Sequence, residues 1–271
     1  MDLTCEITTP AATHTHTVIF LHGRGDTARN FSASLVFSQD TKHRTLQQIF
    51  PSVRWVFPQA EMRSCAIDHG DLWSQWFDVW TLKDFKEREQ LQTAGLRESV
   101  SSIRKVIRNE VEMLGERAER VVLMGISQGA ALGVHALLNL NLKHVRMEGE
   151  AEVDAPLRLG ALIGFAGWMP FVGRSLAELR AVLELEDVPE GYEVLKNTPV
   201  LLEHCMDDQS VGIENGIVMR DALKGFGASV EWKEYTVGGH WFKSPEGIED
   251  AVTFIRNHVP GIPDDCENAT S

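Results

Sequence analysis

What the chain has little of narrows its function first. Among 271 residues only 26 are Lys or Arg, against 39 Asp or Glu, for a formal charge of −13. So few cations offer no basic field for a phosphate backbone, which argues against nucleic-acid binding. The excess acid is read as a solvated surface. There are four cysteines (Cys5, Cys65, Cys205 and Cys266), and none falls in a C-x-x-C pair. That usage suits free thiols better than a disulfide framework or a zinc site. No segment reaches the roughly 20 apolar residues of a membrane span. The longest apolar run, Leu159 to Val172, is broken by three glycines and a proline. The first residues, Met1-Asp2-Leu3-Thr4, have neither the basic nor the apolar region of a secretory signal. The expectation is a cytosolic chain without membrane insertion, in which the sequon Asn268-Ala269-Thr270 carries no weight.

Internal repeats, low-complexity tracts and long linkers are absent too. Hydrophobic residues make up 43% and charged residues 24%, ordinary globular usage. What recurs is a short β-branched run followed by a helical pattern. Thr17–Leu21, Val53–Phe57, Arg120–Met124, Leu159–Phe165, Pro199–Glu203 and Val230–Thr236 read as strands, with residues 4–8 as a further edge strand. Leu96, Val100, Ile103, Ile107, Val111 and Leu114 recur at spacings of three and four, the apolar face of one helix. Residues 130–140, 213–223 and 247–258 also read as helices. Such alternation implies an α/β fold, a mostly parallel central sheet with helices on both faces, in one domain.

The third strand runs straight into Gly125-Ile126-Ser127-Gln128-Gly129. A G-x-S-x-G between a buried strand and a helix is the pattern of a nucleophile elbow, whose tight turn requires small residues two positions either side of the serine. Ser127 is therefore the candidate nucleophile. A serine hydroxyl needs a base held by a carboxylate. His240, in Val237-Gly238-Gly239-His240 just past the last strand, is the histidine at the right sheet edge. His135, His144, His204 and His258 have ordinary helical, loop or turn settings. The carboxylate should follow the fifth strand, where Asp207 and Asp208 compete, since adjacent side chains point apart. Whichever aspartate does not hold the base is read as a solvent-exposed turn residue or a helix cap. Two backbone N–H donors must face the oxyanion. Gln128 supplies one, and Arg24, in the glycine-rich loop His22-Gly23-Arg24-Gly25-Asp26, the other.

The ordered set Phe20–Asp26, Trp76-Phe77-Asp78, Gly125–Ala130, Asp208 with Val211, and His240 resembles the phospholipase/carboxylesterase family, to which the acyl-protein thioesterases belong. The resemblance runs from about Val18 to Trp241. It implies an α/β-hydrolase fold, a Ser-Asp-His triad, and hydrolysis of carboxylic esters or thioesters with medium to long acyl chains and no cofactor or metal. It also suggests an S-acylated protein as one possible substrate partner. Aligning the family's H-G-x-x-D-x-x-V on His204 and Val211 selects Asp208 over Asp207. Departures are Cys205 and Met206 after His204, Gln209 in place of a proline, and longer segments at 31–50, 141–157 and 169–198.

The aromatic residues Trp76 and Phe77 are read either as a wall of the acyl channel or as core filling. Trp168 and Phe171 open the segment 169–198, whose Leu176, Leu179, Val182 and Leu183 stripe fits either a lid over the acyl chain or a helix packed on the core. The competing functions are a lysophospholipase or short-chain carboxylesterase and, from another class, a catalytically silent ligand receptor. The sequence carries no indication of oligomeric state.

Overall fold

Side chains alternate between the two faces of a strand, so a strand apolar at every position must be covered on both sides. The computed structural model, which describes residues 3–143 and 156–263, has that arrangement. Its strands are β1 (Cys5–Thr8), β2 (His16–Leu21), β3 (Val53–Pro58), β4 (Met62–Ser64), β5 (Leu72–Ser74), β6 (Val121–Ile126), β7 (Ala161–Phe165), β8 (Val200–Cys205) and β9 (Val230–Tyr235). Seven form the central sheet in the order β1-β3-β2-β6-β7-β8-β9, parallel except for β1. The other two, β4 and β5, pair as a small hairpin.

The helices are α1 (Ala28–Ser34), α2 (Leu46–Ile49), α3 (Gln92–Met113), α4 (Gln128–Leu138), α5 (Leu176–Leu183), α6 (Glu193–Asn197), α7 (Ile213–Gly225) and α8 (Glu246–His258). They divide between the faces as the strand alternation demands. Ile19 and Leu21 of β2 share one core with Val100 and Ile107 of α3, Leu132 of α4 and Leu223 of α7. Val18 and Phe20 share the other with Phe31 of α1, Ile49 of α2 and Ile255 of α8.

The expected strands and the four long helices are present, with edges displaced by a few residues. The β4–β5 hairpin and the short helices α1, α2 and α6 were not anticipated. The segment 31–50 holds the end of α1, a 3₁₀ turn at Leu35–Phe37 and α2. Cys5, Cys65 and Cys205 are free thiols. His144, Cys266 and the Asn268 sequon lie outside the described residues. Among the described residues no helix is long and apolar enough to cross a membrane.

Candidate active site

The loops after β2, β6, β7, β8 and β9 all leave the sheet at its carboxyl edge, where ligands bind in open α/β sheets. The elbow stands at the centre. Ser127 has φ 56° and ψ −122°, a conformation costly for a residue with a Cβ. Backbone packing enforces it. A Cβ on Gly125 would lie 2.4 Å from Gly129 O, and one on Gly129 would lie 2.3 Å from Leu21 O. The Ser127 N–H donates to Phe165 O at 2.8 Å, and the Ala130 N–H donates to Ser127 O at 3.0 Å. The serine is thereby pinned between β2, β6 and β7, and only 9% of it is exposed.

The loop after β2 runs alongside. A Cβ on Gly23 would lie 3.5 Å from Ser127 Cβ and 3.9 Å from its Oγ. Five contacts fix the loop. The Trp76 indole N–H donates to His22 O at 2.8 Å. The Gly25 N–H donates to Ser74 O at 2.7 Å. The Arg24 guanidinium lies 4.7 Å from the Trp73 ring centroid, and donates to Cys65 Sγ at 3.2 Å. The Ala60 N–H donates to His22 Nε2 at 3.1 Å, so the ring proton sits on Nδ1 and is donated to Gly23 O at 2.7 Å. Burial lowers the His22 pKa against the opposing pull of that second bond, which keeps the ring neutral. Among the described residues the Arg24 N–H has no acceptor. The Gln128 N–H, in the first turn of α4, has no intrahelical one. The Gln128 side chain accepts from the Trp76 N–H at 2.8 Å and donates to Phe77 O at 2.7 Å, tying the elbow to the segment behind the loop.

Across the edge, Asp208 Oδ2 lies 2.7 Å from His240 Nδ1. The other carboxylate oxygen, Oδ1, accepts from the Ser210 N–H at 2.8 Å and the Val211 N–H at 2.9 Å. His204, one of the histidines given an ordinary turn setting, backs the acid. Its Nε2 donates to Val211 O at 2.8 Å and stands 3.4 Å from Asp208 Oδ2. Burial alone would raise the Asp208 pKa. The bonds from His204, His240 and the Val211 N–H outweigh it and hold the carboxyl well below the usual range. Asp208 is thus ionised at neutral pH while its side chain is fully shielded, and the His240 side chain is 28% exposed. Among the described residues no hydrogen bond joins Ser127 Oγ to His240. In free enzymes such bonds are often long and tighten when substrate binds.

The aromatic residues read as either channel wall or core filling are buried. Trp76, Phe77, Trp168 and Phe171 are 1%, 0%, 2% and 3% exposed. Trp168 stacks on Phe85 at 4.1 Å with Phe77 against its edge. The Phe171 ring packs beside His135, and Arg174 covers it. Leu176, Leu179 and Leu183 of α5 join the same core. The acidic residues beyond them are held by α3, since Arg97 pairs with Glu184 at 2.6 Å and Arg104 with Asp187 at 3.4 Å. The stripe in 169–198 is therefore packed on the core. Phe171 and Leu176, 3% and 1% exposed, take the core-packing alternative of the two readings.

Sequence reasoning missed what Asp207 holds. It is an exposed turn residue, as one of the two readings had it, and not a cap for α7, but its carboxylate is engaged. Its Oδ1 accepts from the Gly238 N–H at 2.9 Å and the Gly239 N–H at 2.8 Å, directly before His240. Two consecutive glycines ahead of the histidine were the available signal.

The Phospholipase/Carboxylesterase family model matches residues 3–259. The chain belongs to this family. Acyl-protein thioesterase 1 of Gibberella zeae is 29% identical over 255 residues, covering 93% of this chain and 94% of that protein. Carboxylesterase SOBER1 of Arabidopsis thaliana is 26% identical over 249 residues, covering 92% of this chain and 93% of that one. Among solved structures, Zea mays acyl-protein thioesterase 2 superposes with a TM-score of 0.69 at 23% identity, covering 94% of this chain and 99% of that chain. The fold is that of the α/β-hydrolases.

Proposed function

We propose that the protein hydrolyses acyl esters and thioesters through an acyl-enzyme on Ser127, with His240 as general base and acid and Asp208 as its orienting carboxylate. The single observation that carries this is the 2.7 Å contact between His240 Nδ1 and a shielded, ionised Asp208, on the same sheet edge as a serine held in an elbow conformation. With Nδ1–H committed to Asp208, Nε2 has its lone pair free for the serine proton.

Ser127 Oγ attacks the acyl carbonyl carbon while His240 Nε2 takes the hydroxyl proton. The negative charge on the former carbonyl oxygen is met by the N–H groups of Gln128 and Arg24, donors each worth about 10²–10³ in rate. The tetrahedral adduct collapses, the bond to the leaving sulfur or oxygen breaks, and His240 returns the proton to it. Water, deprotonated by His240, then releases the carboxylic acid and restores Ser127. Asp208 stays ionised throughout and stabilises the imidazolium.

Relatives named acyl-protein thioesterase support a thioester on a protein cysteine as the first substrate to try, and relatives named carboxylesterase support plain esters as the second. The test is a panel of thioesters and esters of graded acyl length, with an S-palmitoylated peptide included, each read as kcat/KM. Hydrolysis that disappears in Ser127→Ala supports the proposal. No turnover of any member by folded protein, or turnover that survives Ser127→Ala, overturns it.

A further inference from the structure

We propose that Asp207 is a positioning residue for the reaction: its carboxylate holds the backbone that carries His240, while its neighbour Asp208 holds the ring. The inference rests on the triad proposed above and adds a residue to it.

The loop after β9 reads Val237-Gly238-Gly239-His240. Short loops of this kind, exposed and rich in glycine, have many backbone conformations open to them. Gly239 has φ 66°, in the left-handed region, and a Cβ placed on it would meet nothing within 4 Å. Packing does not define this residue. On its other side, Gly238 rests against Cys205, where a Cβ would come 2.5 Å from the sulfur. What fixes the pair is one carboxylate oxygen. Asp207 Oδ1 accepts from both consecutive N–H groups, at 2.9 and 2.8 Å. Successive amides converging on one anion form a concave nest, here occupied by a side chain of the same protein.

Asp207 can serve as the anchor because its own backbone is anchored. The Met206 N–H donates to Tyr235 O at 2.7 Å, and the Asp208 N–H reaches Cys205 O at 3.3 Å. The five residues Cys205–Gln209 therefore grip the histidine loop at two points one residue apart in sequence. Oδ2 of Asp208 takes the ring nitrogen, and Oδ1 of Asp207 takes the two amides before it. Without the second grip the ring bond to Asp208 remains, but the Cα of His240 is free to shift. A general base displaced by about 1 Å can cost about 10²-fold in rate.

Asp207→Ala removes the acceptor, whereas Asp207→Asn keeps an Oδ1 in the same place without the charge. The experiment measures kcat and KM on one ester substrate, and melting temperature, for wild type, both variants and Ser127→Ala. The expected result is a fall in kcat of about 10- to 100-fold in Asp207→Ala, with KM within about twofold and Asp207→Asn restored to within about threefold of wild type. Activity of Asp207→Ala within about twofold of wild type overturns the proposal. So does equal loss in Ala and Asn variants, which would assign the effect to charge, or a loss matched by a collapse in melting temperature. Activity persisting in Ser127→Ala would instead defeat the triad itself.

Discussion

The two halves of the candidate site are held by different forces. On the nucleophile side, Ser127 is fixed by backbone atoms in contact: Gly125 against Gly129, and Gly129 against Leu21 and His22. On the acid–base side, His240 is fixed by hydrogen bonds to two adjacent carboxylates in loops at the sheet edge. The first side is built into the core, so disturbing it disturbs folding. The second is built onto the core, so disturbing it should cost rate and leave the fold standing.

The largest expected effect is on the second side. Asp208→Asn cannot stabilise the imidazolium and favours the wrong tautomer, so kcat should fall by about 10³–10⁴ while the variant still folds and unfolds in one cooperative urea transition. A variant that unfolds with its loss of rate would break the contrast. On the first side, Gly129→Ala places a methyl group 2.3 Å from Leu21 O, with no flexible side chain there to yield. It should destabilise the protein by about 3 kcal/mol or more, measured by the same urea titration. A normally stable Gly129→Ala would mean that contact alone does not hold the elbow.

The same difference explains what was legible in the sequence. The elbow announces itself because steric need leaves only glycine at fixed offsets from Ser127. The strand pattern was equally plain, since a two-faced sheet demands unbroken apolar runs such as Val121–Ile126. The partner of His240 was ambiguous from the residues alone. Hydrogen bonds between loops leave no periodic trace, and the family pattern was needed to select Asp208 over Asp207. The β4–β5 hairpin escaped for a related reason: its strands, Met62–Ser64 and Leu72–Ser74, are too short to alternate visibly. The aromatic cluster stayed open between two readings because burial and ligand contact favour the same residue types. The packing of Trp168 on Phe85, and of α5 beside α3, could not be read from residue type.

A smaller effect should appear in the response to acid. His135 lies in α4, directly behind the elbow, and burial lowers its pKa from an ordinary 6.5 to about 4, against a bond to Pro170 O. Burial does the same to His16 in β2, also to about 4. Between pH 6.5 and 4 the unfolded chain binds protons that the folded chain refuses, so stability falls as pH falls through that window. Asp208 acts lower. Its carboxyl is depressed below the ordinary 3.8, so its contribution is complete above that pH and is lost only beneath it. Melting temperatures across pH 7 to 4 should therefore decline more steeply in wild type than in His135→Leu. An unchanged slope would remove His135 from this account.

The central claim is that Ser127 is the residue that becomes acylated. Incubation with a fluorophosphonate, followed by digestion and mass spectrometry, tests it directly. The expected result is one stoichiometric adduct, on the peptide carrying Ser127, formed much more slowly in Asp208→Asn and absent in Ser127→Ala. An adduct on another residue, or folded protein that stays unlabelled at millimolar reagent, would contradict it.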